Sequence, residues 1–168
     1  AYMMDVAPFF SKWLEDLVTD GQDAEGAFPD IAPNLNLGTG NVAWGDAALV
    51  CTERIHRVYG DRRVLERYLP AFERYAAYMA QRSEDGVRGY GAYGDWLNLG
   101  GGAKAEVIGT AYHAHMLRLI AEMHAELGHQ EQARQWAERA DHVKRRFQEL
   151  FVAEDGSILE SSQTGYAL

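Results

Sequence analysis

The feature that most constrains this chain is a helical apolar pattern that twice turns back on itself at a single glycine. Apolar residues recur at three- and four-residue steps on both sides of Tyr59-Gly60-Asp61, and again on both sides of Leu127-Gly128-His129. The two glycines are 68 positions apart, and an aromatic residue, Tyr68 or Trp136, follows each by eight. A repeated αα-hairpin accounts for this arrangement. Five helices are expected: at about residues 2–19 and 43–59, a third following Asp61, and at about 105–127 and 130–151. Their stripes are carried by Met3, Val6, Phe10, Trp13, Leu14 and Leu17; by Trp44, Cys51, Ile55 and Val58; by Leu65, Tyr68, Phe72, Tyr75 and Met79; by Ile108, Tyr112, Met116, Ile120 and Met123; and by Trp136, Ala140, Val143, Phe147 and Leu150. Asp61 is the expected N-cap of the third helix, and Pro70 is expected to kink or restart it. Gly21, Gly60, Gly86, Gly128 and Gly156 read as helix stops. Short extended pieces fit near residues 26–31, 87–90 and 157–159. The fold class is therefore all-α, built of antiparallel αα-hairpins.

The links between hairpins, residues 20–42 and 83–104, are long for a compact helical domain, and such links are usually functional or disordered. They hold Phe28, Pro29, Ile31, Tyr90, Tyr93 and Trp96, too much apolar and aromatic content for disorder. Short turns on one face and long aromatic loops on the other suggest a helical barrel whose loop face carries a site.

Composition narrows what that site can bind. A net charge of −9 over 168 residues repels phosphate backbones and anionic lipid, so neither nucleic acid nor a membrane is an expected partner. No apolar run approaches the ~20 residues that span a bilayer. The single cysteine, Cys51, rules out an internal disulfide framework and leaves the compartment open. His113 and His115 are two apart and diverge on a helix, and no pair has metal-ligand spacing, so no metal or other cofactor is expected. Gly100-Gly101-Gly102 lacks the flanking pattern of a phosphate loop. The chain starts inside a helical pattern and ends without a stop signal, so both ends read as cuts through a larger protein.

Two stretches set a carboxylate beside an indole at a loop–helix junction: Trp44-Gly45-Asp46 and Tyr93-Gly94-Asp95-Trp96. An aromatic ring can cover the C–H face of a sugar while a carboxylate accepts hydrogen bonds from its hydroxyls. Asp95 and Trp96 sit in a loop, where packing alone explains less, but other residues have a plain structural alternative. Trp44 and Tyr112 fall on apolar stripes, Asp46 suits the first turn of a helix, and Asp30 suits a turn beside Pro29.

The succession Met4-Asp5, Phe9-Phe10-Ser11-Lys12-Trp13-Leu14, Gly26-Ala27-Phe28-Pro29, Pro33, Ala43-Trp44-Gly45-Asp46-Ala47-Ala48, Tyr59-Gly60-Asp61, Tyr93-Gly94-Asp95-Trp96-Leu97, Gly109-Thr110-Ala111-Tyr112, Leu127-Gly128 and Gln163-Thr164 resembles the catalytic domain of the bacterial α-L-rhamnosidases. These are inverting glycoside hydrolases with an (α/α)6 barrel, and the likeness covers essentially the whole chain. It implies a segment of a six-hairpin ring with substrate in the loop-lined mouth. It also implies a rhamnose pocket formed by Trp44 and Trp96, with Asp46, Asp95 and Tyr112 nearby. Between Leu97 and Glu106 the sequence is short and Gly-rich where family members often carry a longer polar loop, which alters the outer, aglycone side. The family's general acid lies in an Arg-Asp-Glu-Arg-like motif ahead of a Trp-Thr-Gly-Asp stretch, and neither occurs here. Its base, a later Glu, is expected beyond Leu168. The resemblance thus implies no catalytic acid or base in this chain and a chain inactive by itself. The implied partners are a rhamnose-containing oligosaccharide or glycoside and the remaining parts of a larger enzyme. Self-association through open apolar seams is also implied. Two other readings stay open: a tetratricopeptide-like interaction module, suggested by Leu127-Gly128 through Trp136 and Ala140, and another (α/α)6 carbohydrate enzyme, trehalase-like or glucoamylase-like.

Overall fold

The computed structural model describes residues 3–90, 93–98, 100–160 and 162–168. The elements are α1 (Ala7–Leu14), continued by a π-helical segment (Glu15–Asp20), α2 (Ala47–Tyr59), α3 (Arg63–Gln81), α4 (Ala105–Glu126), α5 (Gln130–Phe151) and a short α6 (Gln163–Ala167). Among the described residues there is no strand. The expected extended pieces are reduced to isolated bridges, Pro29 with Thr39, Glu84 with Val87 and Val152 with Ile158. None of the described helices is long and apolar enough to cross a membrane.

The hairpins α2–α3 and α4–α5 turn at Gly60 and Gly128, both left-handed at φ 69° and 85°. A Cβ in that region crowds the following carbonyl, so glycine is the residue that ends the helix there at little cost. Helices α2 and α4 run side by side in the same sense. His56, near the end of α2, lies 3.7 Å from Glu126 at the end of α4, while Trp44 and Ala105, at their starts, line one cavity. Both glycine turns therefore lie at one end of the molecule and both long links at the other.

Helix α4 is inner and α5 outer. Val107, Thr110, His113, Met116, Leu117, Ile120 and Met123 are buried on several sides of α4, whereas α5 buries only Ala140 and Val143. The link at residues 20–42 is pinned to the core by Phe28, whose ring lies 5.0 Å from Tyr75 and 6.1 Å from Phe72.

Several local expectations are corrected. Helix α1 starts at Ala7, with Pro8 in its first turn where a missing N–H costs nothing, and Met3 is exposed. Helix α2 starts at Ala47 rather than at residue 43, because residues 42–46 form turns closed by Gly45 N–H to Asn41 O. Pro70 does not break α3. A proline inside a helix costs about 3 kcal/mol, but Leu69, Ala71 and Phe72 around it are buried, and each large apolar side chain buried contributes about 1.5–3 kcal/mol. Asp61 accepts the Arg63 N–H at 3.0 Å, while the helix-capping position itself is Arg62. Gly21 is right-handed, with φ −97°. Its hydrogen serves packing, because a Cβ there would meet the Leu17 carbonyl and Pro29.

Candidate carbohydrate site

At the link end, the turn preceding α2, residues 94–96, the start of α4 and α6 surround a cavity of about 290 Å³. It lies at the small end of the ~300–1,000 Å³ range of ligand pockets, a size suited to one small ring. Trp44, Asp95, Trp96, Ile108, Tyr112 and Thr164 are among its walls. Three aromatic rings meet edge to face at its rim, with centroids 6.4 Å apart for Trp44–Trp96, 5.7 Å for Trp44–Tyr93 and 5.3 Å for Tyr93–Trp96. Trp44 is 44% exposed and Trp96 59% exposed. Large indoles left in water at a concave rim, rather than packed beneath it, are the arrangement of a stacking platform.

The rim is tied together by carboxylates. Tyr93 Oη donates to Asp30 Oδ2 at 2.8 Å, and Asn41 Nδ2 donates to the same oxygen at 2.6 Å. Gly38 leaves room for this bond, since a Cβ there would strike the Asp30 carboxylate. Hydrogen bonding to Asp30 raises the Tyr93 pKa, so the phenol stays protonated. Asp95 Oδ2 accepts from Asn98 Nδ2 at 2.8 Å and from the Ala103 N–H at 3.1 Å. The Thr164 hydroxyl, together with these donors, holds the Asp95 carboxyl below the usual carboxylate range. An ionised, oriented carboxylate in a wall of aromatic rings is an acceptor for hydroxyl groups. Among the described residues it is the one acidic side chain lining this cavity.

Beneath the rim lies a buried charge pair, both side chains fully inaccessible. Arg88 Nη1 donates to both Asp46 oxygens at 2.9 and 3.1 Å, and Nη2 donates to Gly40 O and Tyr75 Oη, each at 3.0 Å. Tyr75 Oη donates to Asp46 Oδ1 at 2.8 Å, and the Ala43 N–H donates to Asp46 Oδ2 at 2.8 Å. Burial lowers the Arg88 pKa, but Asp46, Tyr75 and Tyr90 together more than offset this and the net shift is upward. Burial pushes Tyr75 well up and Tyr90 to about 12, so both stay neutral.

Of the five residues expected at a sugar site, Trp44, Asp95, Trp96 and Tyr112 come together on this cavity, Tyr112 half-buried at its base. Asp46 does not join them. It is sealed below, with both oxygens engaged by Arg88, Tyr75 and Ala43, and has no face to offer a ligand. Trp44 lies before α2 rather than on its buried stripe. Sequence reasoning did not single out Tyr93 or Thr164 as site residues, nor Arg88 at all. Tyr93 stands in the quoted aromatic stretch, Thr164 is distant in sequence, and an arginine in a link gives no local sign of burial. No group of three or more potential ligands for a metal ion occurs among the described residues.

A family model described as the bacterial alpha-L-rhamnosidase 6 hairpin glycosidase domain matches residues 1–168. An alpha-L-rhamnosidase of Streptomyces avermitilis is 39% identical over 169 residues, covering 100% of this chain and 16% of that protein. One of Alteromonas sp. (strain LOR) is 27% identical over 180 residues, covering 99% of this chain and 20% of its own length. The crystal structure of the Streptomyces avermitilis alpha-L-rhamnosidase complexed with L-rhamnose superposes with a TM-score of 0.91 at 38% identity, over 96% of this chain and 16% of that one. The chain thus spans a fifth or less of the curated relatives it matches.

Proposed function

Because this chain belongs to the family of bacterial α-L-rhamnosidase six-hairpin glycosidase domains, we propose that it forms part of the catalytic domain of a glycoside hydrolase. That enzyme removes terminal α-L-rhamnose from glycosides by an inverting mechanism. The chain is a single partial domain, and its share of the work is to hold the sugar ring. The carrying observation is the aromatic rim over a ring-sized cavity: Trp44 and Trp96 cover an apolar sugar face, while Asp95 accepts from hydroxyls. Tyr112 closes the base. Asp46 acts at one remove, by holding the turn that carries Trp44. The rhamnose bound in the Streptomyces avermitilis relative favours this ligand class.

Inversion needs two carboxyl groups roughly 6.5–9.5 Å apart, one protonating the leaving oxygen and the other activating water. The cavity has one acidic side chain among its described walls, and that one is held ionised. The general acid and base therefore belong to other parts of the enzyme, and the isolated chain does not turn over rhamnosides. Cleavage of an aryl rhamnoside well above the uncatalysed rate would defeat this. The binding role is tested by titrating the chain with L-rhamnose and following tryptophan fluorescence, with D-glucose as control. Saturable quenching by rhamnose alone is expected, and an equal response to glucose would favour a glucose-directed (α/α)6 hydrolase. The interaction-module alternative is dropped, since the glycosidase family model runs the length of the chain.

The remaining parts of a six-hairpin ring are the natural cover for the open side of the second hairpin. There Ala114, Ala121, Ala125, Ala133 and Ala137 line a groove between α4 and α5. Without that cover the chain self-associates, and a monodisperse monomer in sedimentation velocity would count against this.

A further inference from the structure

We propose that Arg88 is a positioning residue for the sugar pocket, fixing the pose of Trp44 through Asp46 and Gly40. The proposal rests on the reading of the cavity as a sugar site, and it concerns how the stacking indole is held there. The backbone on either side of Trp44 is gripped by one buried cluster. On one side, Arg88 Nη2 holds the Gly40 carbonyl at 3.0 Å. On the other, Asp46, itself held by Arg88 Nη1, takes the Ala43 N–H at 2.8 Å. Ala43, next to Trp44, sits at φ 68°, a left-handed conformation that an alanine keeps only when its surroundings impose it. Gly40 has the same hand at φ 67°, and a Cβ there would strike the Tyr78 ring and hydroxyl. The turn thus has no slack through which Trp44 could relax.

The same residue connects the rim to the inner helix. Arg88 N–H donates to Thr110 Oγ1 at 3.2 Å, and Gly109 lies so close to the Arg88 carbonyl that a Cβ has no room. Thr110 is two residues from Tyr112, so the cluster registers the base of the pocket against its rim. A planar guanidinium reaches Asp46, Gly40 O and Tyr75 Oη at once, whereas a lysine ammonium is a point charge without that fork. Trp44 therefore keeps its edge-to-face distance to Trp96 only while the fork is in place.

The test uses the 168-residue chain with L-rhamnose as probe and two variants: R88K, and the double variant R88M/D46L, which replaces the pair with apolar side chains of similar size. Far-UV circular dichroism reads the helices, and near-UV circular dichroism reads the coupled Trp44–Trp96 environment. Quenching of tryptophan fluorescence reads the dissociation constant. Both variants are expected to keep the helical signal, lose at least half of the near-UV tryptophan band and bind rhamnose about tenfold more weakly. A cycle with W44A completes the test: if Arg88 acts through Trp44, R88K adds no further loss of affinity in the W44A background. The proposal is overturned by a folded variant whose near-UV band and affinity stay within twofold of the parent. It is equally overturned if R88K loses the helical signal, since the pair would then hold the fold rather than the rim. If the parent chain shows no affinity for rhamnose, the sugar reading fails, while the near-UV comparison still decides whether Arg88 positions Trp44.

Discussion

The two ends of the hairpins reverse the chain by different means. At the turn end, Gly60 and Gly128 take up the left-handed conformation with no atom near enough to touch an added Cβ. At the link end, Asn36, Ala43, Asp85 and Leu97 are left-handed without being glycine, and all four lie within the two links or the turn that opens α2. Each such residue costs about 1–2 kcal/mol. The charges divide in the same way. Arg57–Glu53 at the turn end is in contact with water, whereas Arg88–Asp46 at the link end is sealed from it. Strain and buried charge collect where the indoles are displayed, as expected of a region shaped for a ligand rather than for stability.

The largest contrast should come from removing one arginine at each end. Arg88→Ala leaves a buried carboxylate unpaired and should cost about 3–5 kcal/mol. Arg57→Ala breaks a pair whose arginine is 64% exposed and should cost under about 1 kcal/mol. Urea unfolding followed by circular dichroism measures both, and equal losses would erase the distinction.

Trp96→Ala should weaken rhamnose binding by about tenfold, roughly 1.4 kcal/mol, with little change in thermal midpoint, because the indole is more than half in water. Tyr59→Ala at the turn end should leave affinity unchanged, and calorimetric titration separates the two. Next, the backbone substitutions should have opposite signs. Ala43→Gly relieves a left-handed alanine and should stabilise by up to about 1 kcal/mol, while Gly60→Ala imposes one and should destabilise by about 1 kcal/mol. No stabilisation by Ala43→Gly would show that the strain at Ala43 is not real, and stabilisation by Gly60→Ala would erase the contrast between the two ends.

The smallest effect concerns protons. Asp95 has its folded pKa lowered, first by Thr164 and then by the Ala103 amide and Asn98. Its contribution is therefore complete above the unfolded carboxylate value near pH 4 and is lost as pH falls through the lower folded value. Thr164→Val should move the Asp95 pKa back up, measured by carbon-13 titration of the carboxyl group. An unmoved titration would remove Thr164 from the rim. At the turn end Asp61, lowered to about 2 by Arg63, should be indifferent to that change.

The helices were legible because a local pattern fixes them. Three- and four-residue periodicity located α2, α3, α4 and α5 to within a few residues, and α5 at both of its ends. The site was legible in its aromatic parts. Trp44 stands just before α2, Asp95 and Trp96 lie in the second link and Tyr112 lies on α4, and four segments distant in sequence bring them and Thr164 to one cavity. The expected restart at Pro70 and the expected ligand role of Asp46 came from local rules. The packing of Leu69 and Phe72 overrides the proline, and Arg88, 42 positions away, takes the carboxylate out of reach.

The sequence by itself determined an all-α chain of two glycine-hinged hairpins whose long links carry Phe28, Tyr90, Tyr93 and Trp96, because apolar period and left-handed glycine act over a few residues. Only the tertiary structure decided which carboxylate lines the cavity and which is buried against an arginine. Burial and ion pairing depend on contacts between segments such as residues 40–46, 88 and 110, and no local pattern records those meetings.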